Sequence, residues 1–191
     1  MTSPDDSSQT PTSSTPPAGA RGHDASSAKA APTLRWMFGH PARVLAFGFG
    51  AGLLRPGPGT WGTLAAWLLW VLARADAAPA WAVGLFLLAA LALGAAACHR
   101  TGRDLGVPDH GGMVWDEMVA FWLVLWLIPG TLPAQVLAFA LFRLFDIAKP
   151  PPVRQFDARW KNGFGVMWDD LLAAGYTLLA MAVLVRLGVL P

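Results

Sequence analysis

Hydrophobic positions fall into four blocks separated by short polar islands. The first runs from Thr60 to Ala73 behind a Gly/Pro-rich loop, and the second from Trp81 to Cys98 without a charge. The third, Met118 to Phe142, is uncharged but interrupted by Pro129, Gly130 and Pro133. The fourth runs from Leu171 to Val185 and closes on Arg186, whose long stem can snorkel. Little polar alternation at the helical period breaks these blocks, which favours membrane-buried helices over the amphipathic helices of a soluble bundle. A transmembrane helix needs roughly 20 apolar residues, so the second block fits well and the first and fourth marginally. The third block, split at its prolines, gives two arms of about 11 residues, or about 16 Å each. Neither arm crosses a core of about 30 Å, so this block reads as a re-entrant hairpin packed against the other helices. The predicted fold class is all-α: a multi-helix, membrane-embedded bundle with short and re-entrant helices.

Two connections then fix the topology. Blocks one and two form a hairpin through Arg74–Pro79, and the broken third block returns the chain to the side it left. Residues 35–59, 99–117 and 143–170 therefore emerge together, carrying Arg35, Arg43, Arg55, Arg100, Arg103, Arg143, Lys149, Arg154, Arg159 and Lys161. The excess of basic residues makes that face cytoplasmic. Residues 1–33 are Ser/Thr/Pro/Ala-rich and lack the apolar surface that would offset their ordering entropy, so they read as a disordered tail. They also lack the apolar stretch of a signal peptide. Residues 34–191 form the helical domain.

Composition sharpens the class. Of 191 residues, 54% are hydrophobic and 14% charged, against about 25% charged in a soluble domain. That composition argues against an ordinary water-facing enzyme. The net charge of +2 is mild and its bearers scattered, which argues against nucleic acid and suits anionic lipid or phosphate. A lone cysteine, Cys98, excludes an internal disulfide framework and a multi-Cys metal site. The nucleotide, zinc-protease and serine-hydrolase signatures are missing. Position 104, where a Cys-phosphatase loop built on Cys98 would need Arg, is Asp.

The candidate chemistry lies in three polar islands. In residues 47–63 the stretch Pro58-Gly59-Thr60 opens the first apolar helix, where Thr60 can cap it and free N–H groups can face an anion. In residues 108–118 the pair Asp116-Glu117 directly precedes an apolar block. Capping explains acids there, at about 0.3–1 kcal/mol each, and depth in the bilayer is costly for them. In residues 142–170, Arg143, Asp146 and Lys149 recur every third position, so on a helix they share one face, as an ion-pair ladder also would. Asp169-Asp170 repeats the arrangement of an acid pair before a helix. Together these residues supply the hard oxygens that Mg²⁺ requires and the cations and helix starts that a phosphate requires.

At these residues the sequence resembles the phosphatidylglycerophosphatase A family. The matching stretches are GFGAGLLRPGPGTWGT (48–63), MVWDE (113–117), FRLFDIAKPPP (142–152) and GFGVMWDD (163–170), in the family's order within residues 40–187. Thr63, Ala120 and Trp168 depart from the usual pattern without removing an acid. The resemblance implies an all-helical protein of the bacterial inner membrane. It also implies Mg²⁺-dependent hydrolysis of phosphatidylglycerophosphate to phosphatidylglycerol and inorganic phosphate. On this reading Asp116, Glu117, Asp169 and Asp170 gather one or two Mg²⁺, with Asp146 as a further ligand or water-orienting base. Asp116, Asp146 and Asp169 are then the catalytic acids. Arg143, Lys149, Gly59 and Thr60 hold the phosphate, and the apolar helices supply a slot for acyl chains. The rival expectation is a non-catalytic membrane protein, a transport or assembly subunit, whose acids merely cap separate helices. A CDP-alcohol lipid transferase is disfavoured because its Asp-rich signature is not found.

Overall fold

The computed structural model describes residues 32–149 and 163–189, with backbone alone for 163–166. Among them every regular element is helical. Two short helices, α1 (Leu34–Phe38) and α2 (Pro41–Ala46), lead into a 3₁₀ segment at Gly48–Leu53. Then come α3 (Pro58–Leu72), a 3₁₀ turn at Ala75–Ala77, α4 (Ala80–Leu105), α5 (Trp115–Leu127), α6 (Leu132–Ala148) and α7 (Gly163–Arg186). The expected all-α bundle is what the chain forms. Of the tail assigned to residues 1–33, only the last two are described, and Thr33 already belongs to the fold. Its side chain accepts the Trp36 N–H and caps α1.

Local chemistry sets the boundaries. Gly57, at φ 68°, turns the chain so that Pro58 occupies the first position of α3, where a missing N–H costs nothing. The helix therefore starts two residues before Thr60, which sits in its first turn and does not cap it. Gly106, at φ 65°, ends α4. The break expected in the third block falls at Ile128–Thr131, between α5 and α6, because the residue before Pro129 is driven out of the helical region. The arms are longer than the apolar count implied, 13 and 17 residues, because each extends over polar positions at the other end.

All chemistry-bearing ends gather at one end of the bundle. Arg143, late in α6, pairs with Glu117 at the start of α5. Lys149, just beyond α6, pairs with Asp169 in α7. At the far end Trp70 donates to Asp76 in the α3–α4 connection, and Gly130 of the α5–α6 turn lies beside that carboxylate. Both connections thus lie opposite the site, as the two-hairpin topology required.

At the centre is α5, packed against α3, α4 and α7. Its indoles bridge the neighbours: Trp122 donates to the Ala66 carbonyl of α3 at 2.8 Å, and Trp115 to the Ala90 carbonyl of α4 at 3.0 Å. Trp115 reaches α4 only because residue 94 is glycine; a Cβ there would overlap the indole. Phe121, Phe142, Met118 and Met181 complete the buried interior.

Two helices are long and apolar enough to cross a membrane, α4 and the Met167–Arg186 part of α7. Only 33% of the apolar window in each is buried within the protein, which leaves the rest of an apolar helix facing outward. A core helix of a soluble bundle would be mostly enclosed. The first block falls short of a span, since 15 residues of α3 reach about 22 Å.

Candidate active site

The site is built around the first turns of α3 and α5. Gly59 and Gly62 lie one turn apart and give α3 a bare face. Against it rests the carboxylate of Glu117: a Cβ at Gly59 would overlap both its oxygens, and one at Gly62 would meet Oε2 at 3.4 Å and overlap Val114. Thr63 closes this patch by donating its hydroxyl to the Gly59 carbonyl at 2.8 Å. Such a seat joins residues 58 positions apart and needs hydrogen where any other residue carries carbon.

Arg143 enters from α6. Its Nη1 is 3.2 Å from Glu117 Oε1, 2.7 Å from Asp146 Oδ2 and 3.5 Å from the Thr63 hydroxyl. Two atoms of this group are buried without a partner, Glu117 Oε2 and Arg143 Nε. Lys149 ends α6 in the left-handed conformation, φ 40°, and its Nζ lies 2.5 Å from Asp169 Oδ2. The expected ladder of Arg143, Asp146 and Lys149 is therefore split: the first two pair along α6, and the third turns away to α7.

Asp116 is buried, and its side chain accepts the Glu117 N–H at 3.0 Å. The pair 116–117 lies in the first turn of α5, with Val114 at the cap position, so neither acid caps the helix by its side chain. Asp169 and Asp170 are buried too, but they do not precede their helix. It begins at Gly163, and nothing in the intervening sequence stops it, so the acids sit six and seven residues inside. Asp116, Glu117, Asp146 and Asp169 all act electrostatically on Asp170. Five carboxylates thus share one region with two cations, Arg143 and Lys149. Burial, then the charge of Glu117, holds the Asp116 carboxyl well above the usual range. The Glu117 carboxyl is pushed up to about 7 by burial, against the pull of Arg143 and with Asp146 and Asp109 adding to it.

Gly59 and Thr60 are placed differently from expectation. Thr60 donates its N–H to the Gly57 carbonyl at 3.0 Å, and Trp61 donates to the same oxygen. Pro58 has no N–H, so only Gly59 can offer one from the first turn. Sequence reasoning missed three contributors. Gly62 and Thr63 were visible only as a small-residue face at helical spacing. Asp109 is an exposed loop acid whose charge reaches Asp116 and Glu117. Residues 150–162, with Arg154, Arg159 and Lys161 of the expected basic face, lie outside the described residues.

A metal is the natural counterweight to such a surplus of acid. Among the described residues no three His, Cys, Asp or Glu side chains converge into a cage. The donor set still fits a hard cation. Its donors are all carboxyls, Asp116, Asp169 and Asp170 buried and Glu117 half-buried; with Asp146 they outnumber the two cations, and one Glu117 oxygen has no partner. Mg²⁺ in phosphoryl sites commonly takes one or two carboxylates and completes its shell with phosphate and water, which needs no closed cage.

Comparison with known proteins gives the family. The chain matches the family model of phosphatidylglycerophosphatase A over residues 44–185. It is 46% identical to the phosphatidylglycerophosphatase A of Haemophilus influenzae over 146 residues, 74% of this chain and 87% of that one. With the Escherichia coli protein of the same name the identity is 39% over 140 residues, 73% of this chain and 80% of that one. A Bacteroides thetaiotaomicron protein, provisionally named phosphatidylinositol-3-phosphatase, is 34% identical over 73% of this chain and 91% of its own. No solved structure matches. A family match that spans most of the chain, with two relatives of that name at 46% and 39% identity, places the chain in the phosphatidylglycerophosphatase A family, and it is a phosphatase.

Proposed function

We propose that the protein hydrolyses the terminal phosphate of phosphatidylglycerophosphate, giving phosphatidylglycerol and inorganic phosphate, at the cytoplasmic face of a bacterial inner membrane with Mg²⁺. The observation that carries the reading is the buried surplus of carboxylate beside Arg143 and Lys149. The relatives' names supply the headgroup. Orientation rests on charge: among the described residues Arg43, Arg100, Arg103, Arg143 and Lys149 lie at the site end, while Arg74 and Arg186 lie at the other. A phospholipid made at the inner leaflet would meet the site directly.

Asp116, Glu117, Asp169 and Asp170 would hold the metal, which when bound supplies positive charge to phosphate oxygens and acidifies water. Arg143 and Lys149, now held by carboxylates, turn N–H donors towards the phosphate oxygens, and the Gly59 N–H adds a neutral donor. Charge placement of this kind is most of what phosphoryl transfer asks of a protein. Asp146, fixed by Arg143, keeps its second oxygen for orienting a water or accepting its proton. The apolar surroundings keep bulk water from screening these charges.

Phosphate release by the purified protein tests the reading across phosphatidylglycerophosphate, phosphatidylinositol-3-phosphate and phosphatidic acid, with Mg²⁺ and with EDTA. Metal-dependent release from the first substrate above the others is expected. Equal rates with EDTA would remove the metal from the proposal, and preference for another lipid would change the headgroup.

A further inference from the structure

Consecutive antiparallel helices joined by a short connection ordinarily pack on one another, but α3 and α4 make little direct contact. The indoles of α5 hold them apart, Trp122 bonded to α3 and Trp115 to α4. The space between them is a slot of about 440 Å³. Its floor is Trp70, Val83, Trp115 and Trp122, all buried, and its rim is Leu69, Phe86 and Phe49, all exposed. It therefore opens sideways, out of the bundle.

Two features identify what fits. All three floor indoles have spent their N–H groups on protein acceptors, Trp70 on Asp76 and the others on backbone carbonyls, so they show the slot only hydrocarbon faces. A polar ligand would find no partner there. The slot also starts at the catalytic level. Trp115 adjoins Asp116, and Phe49 sits over Trp115 at 5.9 Å between ring centres. From there it runs past Trp122, about 10 Å along α5, to Ala75 and Ala78 at the opposite end of the bundle.

We infer that this slot receives one acyl chain of the phospholipid substrate, with the headgroup at the carboxylates and the chain laid along α5. The inference rests on the proposed reaction and assigns the site its lipid-anchoring part. A chain leaving bilayer for protein gains little from hydrophobicity, since lipid tails are equally apolar. What the slot supplies is placement: it fixes where the headgroup stops relative to the acids.

Two measurements on the full chain in phospholipid vesicles test it. Phosphatidylglycerophosphate with a diazirine on one acyl chain should crosslink to Ala82, Phe86 and Trp122; labelling spread evenly over the outward faces of α4 and α7 would overturn the inference. Ala78→Phe and Ala82→Phe should fill the slot and raise KM for the long-chain lipid about tenfold. The same variants should leave hydrolysis of the deacylated headgroup, glycerophosphoglycerol phosphate, unchanged. Unchanged KM for the lipid, or equal loss on both substrates, counts against the slot. A wild-type protein that releases no phosphate from either substrate overturns the reaction instead, and the crosslinking pattern, which needs no turnover, still judges the slot.

Discussion

Two ion-pair clusters at the same end of the bundle differ in ways that separate a clamp from a site. In the first, Arg43 of α2 bonds Asp104 of α4 at 2.9 Å, Arg100 bonds the same carboxylate at 3.1 Å, and Arg43 stacks over Trp36 at 4.4 Å. Cations outnumber acids there, and the Arg43 side chain also donates to the Trp36 carbonyl. The second, around Arg143 and Lys149, is more deeply placed, has more acids than cations, and holds unpartnered atoms on both Glu117 and Arg143. Paired charges fasten helices. An unbalanced buried set is costly in the absence of a ligand and points to a site.

Breaking the second cluster should have the largest effect. Asp116→Asn and Asp169→Asn should each lower phosphate release by at least about 10²–10³-fold, while circular dichroism and the thermal midpoint stay near wild type. Full activity in both would return the acids to a structural role. Gly59→Ala comes next, with a loss of about 10²-fold from displacing Glu117. Gly175→Ala is its control: a Cβ there meets nothing within 4 Å, so activity should hold and the helix gain stability.

The pH dependence of stability should carry the sign of the surplus. The folded state holds the Glu117 carboxyl up to about 7, above its ordinary 4.5. Its folded form thus binds the proton more tightly than the unfolded chain does. In EDTA the protein should be most stable below pH 4.5 at this residue and lose stability as pH rises through about 7. Mg²⁺ should flatten or reverse that slope; a denaturation series at pH 5 and pH 8, with and without metal, checks it. The smallest effect belongs to the clamp. Arg43→Ala should cost about 1 kcal/mol of stability and change turnover less than twofold. A large loss of activity there would erase the distinction between the clusters.

Much of this was legible in the sequence because it is written locally. Proline and glycine at 129–133 broke the third block where the structure breaks it, and the scarcity of charge made the few acids conspicuous. What was misplaced depended on competition between neighbours. Pro58 after a left-handed Gly57 starts α3 before Thr60 can cap it, and an uninterrupted run carries α7 back past Asp169. What was invisible is long-range. No local pattern announces that Glu117 rests on Gly59, or that two indoles of α5 hold α3 and α4 apart.

That separation has a kinetic consequence. A slot that opens sideways meets its ligand by diffusion within the bilayer plane, so the effective concentration is the mole fraction of substrate among surrounding lipids. Adding more vesicles of fixed composition should leave the rate per enzyme unchanged, whereas diluting the substrate with inert phospholipid should slow it. The enzyme would then sense the composition of its own membrane.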